Sequence, residues 1–234
     1  MLKIPFFNRK NYILLKFYCA EKTVYDYAPV VKSSNIPHPF DPTVSILGQS
    51  FKTCYGYVQH LKHSITIPAW TDFAIKSQNG NAGIAFPNNS PCTGVFPVDT
   101  AFQPNNVHIN KIESPWVFES SYDCSVVMTH HILNTSGMII PSGVLRPRLC
   151  GPLNIFNYVP HSIGSYTVKF KTPLVAIYAL SEKPLHVESY YDTDKFLRLR
   201  DPAIYPFSFR GSYLKMAKFL DAKTQKKGAT EAAP

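Results

Sequence analysis

The stretch "SYTVKFKTPLVAIYAL", residues 165–180, decides the fold class. Its first half alternates without a break between two sets of side chains: Tyr166, Val168 and Phe170 on one face, and Ser165, Thr167 and Lys169 on the other. Strict alternation is typical of a strand with two different faces. Residues 173–180 are almost wholly apolar, which predicts a central strand buried on both faces.

Similar patterns recur along the chain. Residues 13–19 alternate, with Ile13, Leu15, Phe17 and Cys19 on one face. Further strands are predicted within residues 64–68, 107–112, 116–120, 124–133, 137–141, 143–149, 153–159 and 185–191. About ten short strands separated by turns predict an all-β fold, a jelly-roll or cupin-like β-sandwich.

The segments between the strands also carry signals. "NGNAG" at residues 79–83 predicts a turn that pairs residues 72–76 with residues 83–86 as a hairpin. Residues 54–63 are compatible with a short helix or a turn. Residues 26–50 are rich in Pro, Ser and Asn and predict a long surface loop or arm, while residues 87–106 also resemble a loop.

The composition is that of a globular protein. Of 234 residues, 45% are hydrophobic and 17% charged, and the 20 prolines with 14% aromatic residues favour strands and turns over long helices. We expect a single β-sandwich domain over residues 1–207. Residues 208–223 predict a basic amphipathic helix at the C-terminus, and residues 224–234 a flexible tail.

The net charge of +9 is concentrated near the C-terminus. Residues 195–227 contain nine basic and two acidic side chains, which leaves +7 in that segment. A local basic segment predicts weak, non-specific contact with nucleic acid more than a shaped nucleic-acid groove.

The five cysteines argue against a disulfide framework. They are odd in number and none stands in Cys-x-x-Cys spacing, which favours free thiols in a reducing compartment. The sequence shows neither a signal-peptide pattern nor an apolar run of membrane-spanning length. We therefore expect no membrane association and no secretion through a signal peptide.

His60-x-x-His63 and Cys54 are the first chemical candidates. On a helix the two imidazoles would share a face, as in some zinc sites, but no further ligand stands at helical spacing. Cys54 precedes a possible helix that would lower its pKa, yet no base is fixed beside it. Two ordinary histidines and a packed cysteine are the favoured interpretation.

A metal site of the two-histidine, one-carboxylate kind is the second candidate. It would combine His130 or His131 with His186 and Glu188, which share a face of one strand. Metal-binding cupins carry His-x-His and a later Pro-x-Gly-x-x-His. Here the histidines are adjacent and Arg146 stands where the last histidine would be, so bound iron or manganese is an alternative hypothesis only.

Surface contacts are the third candidate. Arg146 and Arg148 flank Pro147 and share a strand face, which suits a carboxylate, a phosphate or an acidic neighbouring chain. Trp70 and Trp116 are the aromatic candidates for partner contact. Trp70 is also expected to cap the core at the bend after Pro68, with Asp72 bonding turn amides nearby.

Five segments together resemble a set of uncharacterised proteins of tailed phages, marine ones included, and of some bacteria. They are Thr53-Cys54-Tyr55-Gly56, Ile67-Pro68-Ala69-Trp70-Thr71-Asp72, Lys111-Ile112-Glu113-Ser114-Pro115-Trp116, Pro141-Ser142-Gly143-Val144 and Lys171-Thr172-Pro173-Leu174. The set has Pro, Gly and Gly where this chain has Tyr55, Ser142 and Lys171. The resemblance covers about residues 50–185, implies a phage origin and carries no catalytic residue.

Two functions of different classes remain as expectations. The first is a viral structural or binding protein, leaning away from an enzyme, that contacts other chains of a viral assembly or its own copies. It would reside in the host cytoplasm or the virion and need no cofactor. The second is a cupin-type, metal-dependent oxygenase or related enzyme that uses the histidine set above.

Overall fold

The computed structural model describes residues 12–36, 55–78, 81–88, 90, 94–97, 107–121, 124–147, 152–160 and 164–200. Within them lie helices α1 (Lys22–Tyr27), α2 (Tyr55–His63) and α3 (Thr193–Arg200), and a 3₁₀ turn at Ser33–Asn35. The strands are β1 (Ile13–Cys19), β2 (Val31–Lys32), β3 (Ser64–Pro68), β4 (Phe73–Gln78), β5 (Asn81–Ala85), β6 (Gly94–Pro97), β7 (Val107–Ser120), β8 (Val126–His130), β9 (Gly143–Leu145), β10 (Pro152–Pro160), β11 (Ser165–Val168), β12 (Pro173–Ala179) and β13 (Leu185–Tyr191).

The strands form three sheets in a mostly β, sandwich-like arrangement. Sheet A has the order β10-β7-β1-β13, with β6 also paired to β7; sheet B has the order β2-β3-β12-β8-β9; and sheet C has the order β11-β4-β5. The sheet pairing is antiparallel except between β1 and β13, which run parallel from Ile13↔Leu185 to Cys19↔Tyr191. The first and last strands of the described fold are therefore neighbours.

Strand β12 confirms the prediction made from residues 173–180. It lies at the centre of sheet B between β3 and β8, and Leu174, Val175 and Ile177 are fully buried. The preceding segment forms β11, which belongs to sheet C and pairs with β4. The chain therefore changes sheets within the turn between Val168 and Pro173.

One hydrophobic core joins the three sheets. It contains Ile13, Leu15, Phe17 and Cys19 from β1, as their alternation predicted, together with Ile65 and Ile67 of β3 and Phe73 and Ile75 of β4. A smaller cluster on the other face of sheet A packs Phe196 of α3 against Tyr18 and Val117. Helix α3 was not expected from the sequence, and it explains why β1 is buried on both faces.

Strand β7 joins two segments that were predicted as separate strands. Its pairing with β10 shifts register between Glu113 and Val117, so β7 carries a bulge at the Ser-Pro-Trp segment. The Trp116 N–H donates to Ser114 Oγ at 3.2 Å, which satisfies an amide that the irregular ladder leaves without a strand partner. The bulge directs the fully buried Trp116 ring against Phe17.

Several other predictions have clear outcomes. The hairpin is confirmed, with Ile75 opposite Ile84, and residues 55–63 form a helix. The expected loop at 26–50 begins instead with the end of α1 and with β2, and the loop at 87–106 contains β6. The predicted helix at 208–223 and the tail at 224–234 lie outside the described residues.

Candidate functional site

Helix α2 lies over a face of sheet B that carries small and polar side chains. Because paired residues share a face of a sheet, Ser64 and Val127 lie beside Tyr178, while Thr66 and Thr129 lie beside Ala176. The hydroxyl groups are connected by hydrogen bonds: Ser64 Oγ and Thr66 Oγ1 each lie 2.7 Å from Ser33 Oγ, and Ser64 also bonds the His60 carbonyl at 2.7 Å.

His60 is the side chain that α2 directs onto this layer. Tyr178 Oη lies 2.6 Å from its Nε2 and is closer still to its Nδ1. The ring centroid of His60 is 6.2 Å from that of His131 in an edge-on arrangement. Burial lowers the pKa of His60. His63 is different, because it is exposed and bonds Gln59 Oε1 at 3.0 Å on the same helix. The two histidines therefore do not form a shared site, and Cys54 lies outside the described residues.

His131 is fully buried and directly follows β8. Its Nδ1 accepts the N–H of Leu133 at 3.0 Å. A neutral imidazole that accepts at Nδ1 carries its hydrogen on Nε2, and that Nε2 has no hydrogen-bond partner in the structure. The pKa of His131 is lowered to about 4. Burial is the largest cause, and electrostatic repulsion from the nearby His60 and His130 adds to it.

His130 is the last residue of β8 and, like His131, accepts a backbone hydrogen bond at Nδ1. Its Nδ1 accepts the N–H of Ile140 at 3.4 Å. Burial lowers the pKa of His130, although a hydrogen bond with the Asn134 backbone raises it in part. Because Nδ1 accepts this N–H, a neutral His130 is also the Nε2–H tautomer.

The backbone hydrogen bonds to His130 and His131 argue against the predicted metal site. A metal ligand must offer a lone pair, and in His130 and His131 the lone pair of Nδ1 already accepts a backbone N–H. His186 lies in sheet A with its ring centroid 4.6 Å from that of Tyr12, and Glu188 accepts a hydrogen bond from Tyr190. The four side chains are thus divided between two sheets, and the described residues contain no group of three or more His, Cys, Asp or Glu side chains suited to hold a metal.

Residues 131–142, which we call the 131–142 loop, connect β8 to β9. Besides the two histidine bonds, its anchors are Asn134 Nδ2 to the Leu174 carbonyl (3.1 Å), the paired backbone bonds of Ile139 and Tyr158 (2.7 and 2.9 Å), Tyr166 Oη to the Thr135 carbonyl (2.6 Å), and Thr129 Oγ1 with Ser142 Oγ (2.7 Å). They reach sheet A through Tyr158, sheet B through Leu174 and sheet C through Tyr166. The loop is thus fixed to all three sheets.

The same loop exposes apolar side chains. Ile132 is 51% exposed and Ile139 is 53% exposed, and Val144 in the following edge strand β9 is 58% exposed. Leu133, Met138 and Ile140 are buried between them. The predicted strand over residues 124–133 ends instead at His130, so this surface was not expected from the sequence. The polar cluster "NTSG" at residues 134–137 is the signal that indicates an earlier end of the strand.

Three of the four predicted partner-contact residues lie within the described residues. Trp116 is fully buried and Trp70 is 4% exposed, so their burial in the core argues against a role as surface contacts. Trp70 does lie at the predicted bend, with its ring stacked near Phe86. Arg146 is half-buried directly after β9, and Arg148 lies outside the described residues.

Two segments of the phage-like pattern meet at a corner of the fold. The Ala69 N–H donates to the Thr172 carbonyl and the Lys171 N–H donates to the Ala69 carbonyl, both at 2.8 Å. Asp72 accepts the N–H of Phe170 at 2.6 Å, so it bonds a turn amide, but that turn lies between β11 and β12 and not at the bend after Pro68. The backbone bond from Phe170 and the nearby Lys169 lower the pKa of Asp72.

No protein-family model matches the chain, and comparison with curated proteins gives no match either. Among the described helices, none combines the length and the apolar character needed to cross a membrane. Function must therefore be inferred from the contacts described above.

Proposed function

We propose that the chain is a tailed-phage protein that acts through protein–protein contacts as a component of the virion or of its assembly. The surface formed by the 131–142 loop and strand β9 is its contact surface. The partner is a neighbouring chain of the same assembly, and a second copy of this chain is included in that class.

One observation carries the proposal: a loop bonded to all three sheets still exposes branched aliphatic side chains. Ile132, Ile139 and Val144 are each more than half exposed. An ordered loop loses little conformational entropy when it binds, so a partner that covers these side chains gains most of the hydrophobic free energy. Among the described strands, β9 is at the edge of sheet B, to which a partner strand can pair.

The phage origin has support of a different kind. Position 171 is glycine in the phage-like set and lysine here, and Lys171 has a left-handed φ of 67°. Left-handed backbone favours glycine, so the glycine of that set suits the backbone conformation found here at position 171. The hydrogen bonds between Ala69 and Thr172 further join two of the five segments on which the resemblance depends.

The jelly-roll form of the sandwich is part of the same proposal. Jelly rolls are antiparallel structures common in viral capsid proteins, and most of the pairing described here is antiparallel. The parallel pair of β1 and β13 departs from that pattern. The cupin-type enzyme hypothesis has no comparable support, because His130 and His131 already accept backbone hydrogen bonds.

The first test asks whether the chain belongs to the particle. We expect mass spectrometry of purified virions of the encoding phage to detect this chain at a constant ratio to known particle proteins. If the chain is missing while minor proteins of similar size are detected, the virion role is wrong. A role in assembly would then require that the chain is detected in assembly intermediates.

The second test maps the contact surface. A photo-crosslinking residue at position 139 should link the chain to another phage protein or to a second copy in infected cells. The same residue at position 197 is the matched control, because Leu197 is similarly exposed (49%) but lies on α3. Crosslinks to phage proteins at position 197 and none at position 139 would contradict the proposed surface.

A double substitution measures the energy of the contact. Ile139→Asp with Val144→Asp should weaken capture by the crosslinked partner at least about tenfold, because charge replaces apolar area at the centre of the surface. Leu197→Asp should change it less than about twofold. All three positions are exposed, so circular dichroism and thermal unfolding should show the same fold in each variant.

A further inference from the structure

Both ends of the 131–142 loop are attached to imidazole nitrogens that act as hydrogen-bond acceptors. At the start, the Leu133 N–H donates to His131 Nδ1 at 3.0 Å. At the end, the Ile140 N–H donates to His130 Nδ1 at 3.4 Å. A backbone N–H can only donate, so these two bonds exist only while both imidazoles are neutral.

Protonation reverses the role of each nitrogen. A protonated imidazole carries hydrogens on both ring nitrogens and accepts no hydrogen bond. The new Nδ1–H of His131 would face the Leu133 N–H, and that of His130 would face the Ile140 N–H. Two attractive contacts therefore become two repulsive ones, at the two ends of the same loop.

The surroundings do not compensate for the added charge. Two titratable groups influence His131: His60 of α2, and His130, which precedes His131 in the chain. Both disfavour a positive charge on His131. Tyr178 of β12 contacts His60 on the same side. His131 is fully buried, so its charged form must be exposed to water, which requires the loop to move away from the sheet.

We propose that acidification releases the 131–142 loop through protonation of His130 and His131, so that pH regulates the contact surface. This inference rests on the proposed function for its biological meaning, because the loop carries Ile132 and Ile139. The release itself is a property of the isolated chain. It requires no partner.

Hydrogen–deuterium exchange tests the release directly. After correction for intrinsic exchange rates, protection of the 131–142 peptide should fall at least about tenfold more than that of the β12 peptide between about pH 7 and about pH 4.5. Equal loss of protection in the two peptides would mean general loosening, and would overturn the proposal.

Asparagine substitutions separate titration from packing. The Oδ1 of asparagine occupies nearly the position of histidine Nδ1, accepts a hydrogen bond and does not titrate in this range. The variant with His130→Asn and His131→Asn should therefore keep its loop protected at about pH 4.5. His63→Asn is the control, because exposed His63 bonds only Gln59 among the described contacts, and it should behave as the unmodified chain does. Loss of protection in the double variant equal to that of the unmodified chain would contradict the proposal.

A measurement on the unmodified chain covers the case in which the double variant does not fold. Nitrogen NMR of the imidazoles at about pH 7 should show His130 and His131 as neutral Nε2–H tautomers. An Nδ1–H tautomer at either position would exclude the acceptor role and overturn the proposal. Because exchange and NMR need no partner, a failed crosslink at position 139 would refute the contact surface and leave this result unchanged.

Discussion

At the scale of single residues, Lys171 shows how a departure from a sequence pattern becomes visible in the backbone. It is the one non-glycine with positive φ among the described residues. Its N–H is bonded to Ala69, and its Nζ lies 5.2 Å from the centre of the Phe170 ring. The turn that leads from sheet C into β12 therefore forms against a local conformational preference.

We expect Lys171→Gly to stabilise the protein. Glycine removes the left-handed strain of an L-residue, about 1–2 kcal/mol, but it also gives the unfolded chain more conformational freedom, and losing that freedom on folding costs about 0.5–1 kcal/mol. The net gain in unfolding free energy should be about 1 kcal/mol, measured by urea denaturation. Lys171→Ala is the control, since it removes the same side chain and keeps the strain, and it should not stabilise.

Residue patterns predicted burial well and hydrogen-bond roles poorly. The alternation of Ile13, Leu15 and Phe17 predicted one core face, because period two is a local property of a strand. The acceptor roles of His130 and His131 depend on amides that are ten and two residues away, respectively, in a folded loop. Sequence spacing contains no record of which nitrogen of an imidazole faces an amide.

At the scale of elements, the 131–142 loop is held by hydrogen bonds throughout its length, although it has no regular secondary structure. Its backbone turns at Gly137, which has a φ of 71°, and side chains satisfy amides on either side of the turn: Asn134 Oδ1 accepts the Ser136 N–H at 2.7 Å, and Ser136 Oγ accepts the Met138 N–H at 3.2 Å. Local side-chain bonds of this kind replace ladder bonds in turns.

Gly137→Ala should loosen this turn. A Cβ in left-handed backbone costs about 1 kcal/mol, so the thermal unfolding midpoint should fall by a few degrees. Gly143→Ala is the matched control in the adjoining strand, because its φ is not positive and an added Cβ meets no atom within 4 Å. An equal loss of stability in both variants would mean that the Gly137 conformation is not the cause.

Strong local signals predicted most elements, and weak ones were missed. Strand β12 and the β4–β5 hairpin follow from an apolar run and a turn signal. Strand β6 has four residues in a proline-rich stretch, and α1 has six residues with no side-chain cap on Glu21. Such short elements form because neighbouring strands hold them, which their own sequences do not record.

At the scale of the whole molecule, three partly or fully buried histidines make stability depend on pH. Burial lowers the pKa of His60, His130 and His131. Their unfolded forms take up protons at a higher pH than their folded forms do. Stability is therefore complete above the unfolded pKa and declines as pH falls toward the folded values.

For His131 the window runs from about pH 6.5 to about pH 4. The difference between the two pKa values corresponds to roughly 3 kcal/mol of unfolding free energy lost across it. Urea denaturation at a series of pH values should show this decline. In the His131→Asn variant, the loss of unfolding free energy over this pH range should be smaller by about 3 kcal/mol. An identical pH dependence of the unfolding free energy in the two proteins would show that His131 does not cause the decline.

The sandwich class could be predicted from the sequence, but the pairing of its ends could not. Each of β1 and β13 is recognisable alone, while the parallel register of Ile13 with Leu185 is set by contacts across almost the whole described fold. The candidate site is non-local in the same sense, since His60 and His131 meet only after α2 has packed on sheet B. Long-range pairing of this kind leaves no periodic signal in the chain.

The parallel pair of β1 and β13 also has a consequence for synthesis. About 170 residues separate the two strands, so at the usual rate of about 5–20 residues per second β1 exists for roughly 10–35 s before β13 has been made. During that interval its apolar residues and the edge that later pairs with β13 are exposed to solvent. Chaperone occupancy during translation should therefore begin early and end only when residues near Tyr191 leave the ribosome.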